Sequence, residues 1–192
     1  MKVSKEQMAE NRERILDTAA QLFRERGFDG IGVADLMKGA GLTHGGFYGH
    51  FASKEDLMAQ ACARALEQSR SGWQDMAEGA AGDPRALLER AYLSDRHRDA
   101  PGRGCLLAAL GADAARQGPG VRSAVTAGVR GMVDVLVGVM PGRTRAARRQ
   151  KALADYASLV GAMVLARAVD DPALSEEIVQ ATRAALQLPA DD

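Results

Sequence analysis

Apolar residues in this 192-residue chain recur three and four positions apart, and nowhere do they alternate with polar ones over six residues between turn signals. Spacing of three and four gathers side chains on one face of an α-helix, whereas a half-buried strand needs a period of two. The pattern confines the chain to helices packed on helices. Composition fits this: 46% of residues are hydrophobic but only 4% aromatic, so the core must be built from Leu, Val, Met and Ala rather than the aromatic side chains that sheets favour. A chain of this length can bury a sizeable core.

Caps and breakers divide the pattern into about nine helices. The first opens at Ser4, with Gln7 at capping-box spacing, carries Ile15, Ala19, Leu22 and Phe23 on one face, and stops at Gly27. Val33, Leu36, Met37 and Ala40 give a short second helix that Gly41 ends. A glycine-rich third segment starts at Thr43. Ser53 then caps a long fourth helix, with Glu55 and Asp56 in the first turn, where the helix dipole favours acids. It buries Leu57, Ala61 and Ala65 and closes near Gly79. Asp83-Pro84, a cap followed by proline at the first helical position, starts a fifth helix that runs to about Arg98. A sixth covers about Cys105 to Arg116, and a seventh bears the stripe Val125, Val129, Met132, Val133, Leu136 and Met140. The eighth, basic at its start, runs to about Val169, and Asp171-Pro172 repeats the cap-proline start for the ninth. The expected fold is all-α, with a small module over residues 1–52 joined by the fourth helix to a larger helical domain over 53–192.

Several function classes are disfavoured. Net charge is zero, so composition alone gives no sign of a nucleic-acid partner. The N-terminus "MKVSKEQMAENRERIL" is polar and amphipathic, unlike a signal peptide. The longest apolar run, Leu159 to Ala166, is too short to span a bilayer. Cys62 and Cys105 fit no metal-ligand spacing and suit a reduced compartment. The histidines (His44, His50, His97) show no catalytic spacing, and there is no nucleophile motif or phosphate-binding glycine loop. The expectation is a cytoplasmic protein that is not an enzyme, with no metal, no cofactor and no membrane segment.

The third segment, "THGGFYGHF" from Thr43 to Phe51, is poorly made as a free helix. It holds Gly45, Gly46 and Gly49, and each glycine in a helix interior costs roughly 1 kcal/mol against alanine. Following a helix and a tight turn at Ala40-Gly41-Leu42, it completes a helix-turn-helix pattern. The surrounding residues sharpen this. Ile15-Leu16, Ala19-Ala20, Leu22-Phe23 and Gly27-Phe28, then Ala40-Gly41-Leu42, Phe47-Tyr48, His50-Phe51 and Ser53-Lys54-Glu55 with Leu57 resemble the DNA-binding domain of the TetR/AcrR family of bacterial transcriptional regulators. The resemblance covers residues 12–57, about a quarter of the chain; beyond it, only length and helical pattern agree.

A recognition helix must lie in the major groove, and glycines let its backbone come close to bases and phosphates. Thr43 stands at the N-cap, and Leu42, Phe47 and Phe51 are suited to anchoring the segment on its neighbours. The resemblance implies base-proximal positions for His44, Gly45 and Tyr48. It implies phosphate-facing positions for Gly46, His50 and Lys54, with Lys38 on the second helix a further candidate. Tyr48 also fits a core position, and His44, His50 and Lys54 also fit a plain surface. Gly49 departs from the family, which often has a larger side chain there, and Gly32-Val33-Ala34 lacks the hydroxyl or arginine that many relatives use against phosphate. Met1 to Glu55 holds eight basic and eight acidic residues, so binding must rest on arrangement, with Lys2, Lys5, Lys38 and Lys54 towards the DNA. Counterion release then implies steep salt dependence.

For the rest of the chain, the resemblance implies a homodimer that binds a pseudo-palindromic double-stranded DNA operator, paired through the last two long helices (about 144–187). Ala154, Ala157, Gly161 and Ala162 would allow close packing there, or simply pack within one subunit. The resemblance also implies a small-molecule effector pocket, for which Trp73, Met76, Tyr92, Cys105, Leu106, Met132 and Met163 are candidates; each also fits an ordinary core position. Cys105 follows "GRG" at the start of the sixth helix, where the helix terminus and Arg103 favour thiolate. It is similar to a branch of the family with a cysteine at this position, some members of which respond to reactive compounds. A packed hydrophobe is the other reading of Cys105, and Cys62 reads as packing alone.

Overall fold

The structure is a computed structural model and describes residues 4–187. Among them every regular element is helical. The α-helices are α1 (Lys5–Arg26), α2 (Val33–Gly39), α3 (Lys54–Glu78), α4 (Pro84–Tyr92), α5 (Asp95–Asp99), α6 (Leu106–Ala114), α7 (Pro119–Val139), α8 (Arg145–Ala168) and α9 (Pro172–Ala185). Two 3-10 helices join them, His44–Gly49 between α2 and α3 and Pro101–Arg103 between α5 and α6.

Most boundaries follow from single side chains. Ser4 Oγ accepts the Gln7 N–H, Ser53 Oγ accepts the Asp56 N–H, and Asp83 and Asp171 cap α4 and α9 ahead of their prolines. Each satisfies a donor that the first helical turn leaves open. The reciprocal half of the capping box at Ser4 is not made, because Gln7 Nε2 donates to Glu10 and Asn11 instead. The expected fifth helix is broken in two. Leu93 closes α4, and Ser94 caps α5 by accepting the His97 N–H.

Three apolar clusters hold the helices together. The first joins α1, α2, the 3-10 segment and the N-terminal half of α3, and also takes in Leu106 and Leu110 of α6 and Val121 of α7. The second gathers Tyr92, Leu93, Cys105, Leu159, Met163 and Val179. In the third, Leu88 meets the α7 stripe Met132, Val133, Leu136 and Met140 together with Ala152 and Tyr156. Trp73, half-buried on α3, borders both of these. At Gly128, α7 passes so close to α3 that an added Cβ would lie 2.4 Å from Leu66. No described helix is long and apolar enough to cross a membrane.

Candidate nucleic-acid interface

The turn after α2 is built from the backbone. Ala40 caps α2, Gly41 adopts φ +70°, and the Leu42 N–H returns to the Met37 carbonyl at 2.8 Å. The positive φ is what glycine tolerates without strain. The next six residues form a 3-10 helix rather than an α-helix. Runs longer than three or four residues of this geometry are uncommon, and this one is pinned by its rings. Phe47 and Phe51 are buried with centroids 5.8 Å apart, and the Arg12 guanidinium lies over the Phe51 ring at 5.2 Å.

Outward, the picture reverses. Thr43, His44, Gly45, Gly46, Tyr48 and Lys38 are all exposed, and Tyr48 retains 72% of its surface, resting edge-on against Phe47. Thr43 occupies the N-cap position but makes no side-chain capping bond. A Cβ added at Gly45 or Gly49 would meet no atom within 4 Å, and one at Gly46 would make ordinary contact with the Met37 methyl at 3.7 Å and Thr43 Oγ1 at 4.0 Å. Nothing inside the chain demands glycine at these three places. His50 is half-buried with its ring 6.3 Å from Phe51. Lys54 is half-buried and donates from Nζ to the Phe28 carbonyl at 2.6 Å, leaving two ammonium donors for other acceptors. Lys5 is exposed at the start of α1, and Lys2 lies outside the described residues.

The effector candidates divide among the clusters. Trp73 stands edge-on to Tyr92 at 5.8 Å and to Tyr156 at 6.1 Å. Cys105 Sγ lies 3.9 Å from the Tyr156 hydroxyl, and Met163 is buried in the same cluster as Tyr92 and Cys105. Met132 is buried in the third cluster with Met76 against it, and Leu106 sits in the first, with α1 to α3. Tyr156 and His97 belong to this aromatic group and are absent from the sequence-derived set; Tyr156 could have been found from its place on the buried α8 stripe with Ala152, Leu159 and Met163. Burial pushes the Tyr92 and Tyr156 phenols up, reinforced by Cys105. Two surface clefts, one beside Arg24 and Arg167 and one between α3 and α7, are lined by none of the seven candidates.

Cys105 is buried and is the N-cap residue of α6. Its N–H donates to Nε2 of His97 at 2.8 Å, and Nδ1 of the same ring meets the Tyr92 carbonyl at 2.6 Å. These two bonds fix a neutral imidazole with its proton on Nδ1. Arg103 is exposed; the cations whose fields reach Cys105 are Arg24 and Arg167. Burial pushes the Cys62 thiol up to about 12. Among the described residues, no group of three His, Cys, Asp or Glu side chains could hold a metal ion.

Residues 15–61 match the family described as "Bacterial regulatory proteins, tetR family". The uncharacterized HTH-type transcriptional regulator YerO of Bacillus subtilis is 35% identical over 92 residues, 48% of this chain and 32% of the relative. The HTH-type transcriptional repressor NemR of Escherichia coli is 29% identical over 130 residues, 66% of this chain and 65% of the relative. In both cases the alignment takes in less than two thirds of the relative's length. Among solved structures, the reduced form of E. coli NemR superposes with a TM-score of 0.77 at 26% identity, covering 95% of this chain and all of that one.

Proposed function

We propose that this chain, which belongs through its N-terminal domain to the TetR family of bacterial regulatory proteins, is a ligand-responsive transcriptional repressor in the cytoplasm. It binds a pseudo-palindromic operator as a homodimer, has no catalytic role, and divides at about residue 52 into a DNA-reading and an effector-sensing part. The observation that carries this reading is the 3-10 segment. Its inward rings are buried to the last few per cent of their surface, while three exposed glycines, two of them with open space where side chains would be, and a tyrosine exposed by 72% face outward. Exposed glycines that no intramolecular contact requires suit a backbone that must come close to another molecule. With Thr43 at the N-cap, His44, Gly45 and Tyr48 at the base edges and Gly46, His50, Lys54 and Lys38 towards phosphates, the segment fits a major groove.

One segment reads few base pairs, and pairing two supplies specificity. Support for dimerisation comes from α8 and α9, where Leu153, Val164, Leu165 and Leu174 stand exposed. Ala154 and Ala157 are exposed on the same helix, whereas Ala162 is buried inside the subunit and belongs to its own core. Effector binding among Trp73, Tyr92, Cys105 and their neighbours would favour a second arrangement of the helices and release DNA. Reaction of Cys105 with an electrophile or oxidant is the second route; it is favoured by the proximity of Sγ to the Tyr156 hydroxyl and by the relative described as a reduced form.

A gel shift with the DNA upstream of the chain's own gene tests the reading. Specific retention at low salt, abolished steeply as salt rises, is expected; no retention at any salt overturns it. Treating the complex with an electrophile should release wild-type protein and spare Cys105→Ser. Equal release of both removes the cysteine route.

A further inference from the structure

The cleft beside Arg24 and Arg167, about 640 Å³, lies where the end of α1 meets α5, α6 and the α8–α9 turn. Its volume falls within the range that holds small molecules. Ala108, Ala109 and Ala166 give it an apolar floor, and three arginines, Arg24, Arg98 and Arg167, stand on its walls.

The arginines are unlike one another. Arg98 is neutralised by Asp95, Asp99 and Glu176. Arg24 and Arg167 have no ion pair among the described residues. Arg24 gives Nε and Nη2 to one backbone carbonyl, that of Gly102, at 2.9 and 2.6 Å. Arg167 gives Nε to the Arg98 carbonyl at 3.0 Å and Nη2 to the His97 carbonyl, while its Nη1 is buried with no partner. The packing behind Arg167 is close: an added Cβ at Gly104 would lie 2.6 Å from the His97 ring and 2.8 Å from Arg167 Nη2. Burial holds both guanidinium groups below their ordinary values, with Glu25 near Arg24 and Asp99 near Arg167 opposing the fall without forming an ion pair. Such charges are expensive unless a counter-ion completes them.

We propose that this cleft binds a small organic monocarboxylate, held by Arg24 and Arg167 over the alanine floor, and that the bound ligand ties the end of α1 to α8. A carboxylate offers both arginines a charged acceptor in place of the neutral backbone carbonyls they now meet. Glu25, Asp99 and Asp170 also stand on the walls, so a dianion such as phosphate meets repulsion that a single negative charge largely escapes. Because α1 belongs to the same core as the exposed 3-10 segment, occupancy would couple to the DNA-reading part. The cleft adjoins the aromatic cluster, with which it shares Ala108 and Ala166, but none of the seven effector candidates lines it, and the proposal goes beyond the repressor reading.

The test is calorimetric titration of the whole protein, without DNA, using acetate, butyrate and benzoate, with benzamide and inorganic phosphate as controls. At least one carboxylate is expected to bind more tightly than benzamide and phosphate by about tenfold or more. Arg24→Gln should weaken that binding by about tenfold. Asp170→Asn, at an exposed position in the α8–α9 turn, should tighten it about threefold by removing a like charge. Circular-dichroism melts establish that both variants are folded, and the gain from Asp170→Asn cannot arise from unfolding. Carboxylates that bind no better than benzamide, or affinities indifferent to both substitutions, overturn the site. The titration contains no DNA, so failure of the operator gel shift counts against the repressor reading and leaves this result legible.

Discussion

Tyr48 and Phe47 are adjacent in the chain and opposite in consequence, since one is 72% exposed and the other 1%. Phe47→Ala empties a packed position and is expected to cost about 3–5 kcal/mol of stability. Tyr48→Ala should leave stability within about 0.5 kcal/mol while weakening operator binding about tenfold or more. Urea denaturation beside gel-shift titration separates the two, and equal stability losses would place Tyr48 in the core after all. Gly45 makes the sharper case. Its missing side chain has only open space before it, so Gly45→Ala should hold or raise stability, by up to about 1 kcal/mol through the unfolded state. Operator affinity should nevertheless fall, and unchanged affinity would remove the idea that these glycines are clearance for DNA. That Phe47 and Phe51 turn inward and Tyr48 outward was legible in the sequence, because one face of a short helix admits only some of three neighbouring rings. The bond from Lys54 to the Phe28 carbonyl was not: the partner is 26 residues away, and no local pattern points to it.

Helix ends show the same division between local and distant causes. Ser4, Ser53, Asp83 and Asp171 act within three residues of themselves, and each was readable as a cap. The start of α6 depends on His97, eight residues back, whose Nε2 takes the Cys105 N–H. Burial, helped by Arg167, holds His97 below the ordinary 6.5. As pH falls the unfolded chain takes up the proton first, so the stability from this neutral imidazole is complete above about 6.5 and is lost as pH drops towards the folded value. His97→Phe leaves the Cys105 N–H without its acceptor and should cost about 1–3 kcal/mol at neutral pH, with a shallower acid slope. Glu89 on α4 has the opposite sign. It is wholly buried and bound to Arg85 at 3.0 Å, with Asp155 shared by Arg85 and Lys151. Burial pushes its carboxyl up to about 7 from 4.5, with Asp155 adding to the rise and Arg85 opposing it. The folded chain therefore keeps a proton that the unfolded chain releases, and this contribution is present below about 4.5 and lost as pH rises through about 7. Urea midpoints at pH 5, 6, 7 and 8 should show Glu89→Gln gaining on wild type as pH rises. Parallel curves would mean that Glu89 titrates normally.

At the scale of the molecule, the all-helical architecture and the order of long helices were written in the apolar period, since each helix buries one stripe. Which stripe meets which was not. Leu106, Leu110 and Val121 sit in one cluster with α1, α2 and the 3-10 segment, a union that depends on tertiary packing and leaves no periodic trace. It gives the helices proposed to read DNA a shared core with α6 and α7, a packed link through which the proposed effector would act. The unshared surface is equally informative. Leu165 keeps 56% of its surface on α8, with Leu153 and Val164 also open on that helix and Leu174 on α9. Leu165→Glu places a charge on this face without touching the subunit core, so the melting temperature of the folded monomer should change little. In a dimer joined there, the carboxylate would meet an apolar partner and separate the subunits, which light scattering reads as a halving of mass. Two linked recognition segments bind far more tightly than one, so operator affinity should fall by about a hundredfold or more although the substituted residue lies outside the DNA-reading segment. A Leu165→Glu protein that remains dimeric places the dimer contact elsewhere; one that is monomeric yet holds its operator at wild-type affinity breaks the link between pairing and recognition.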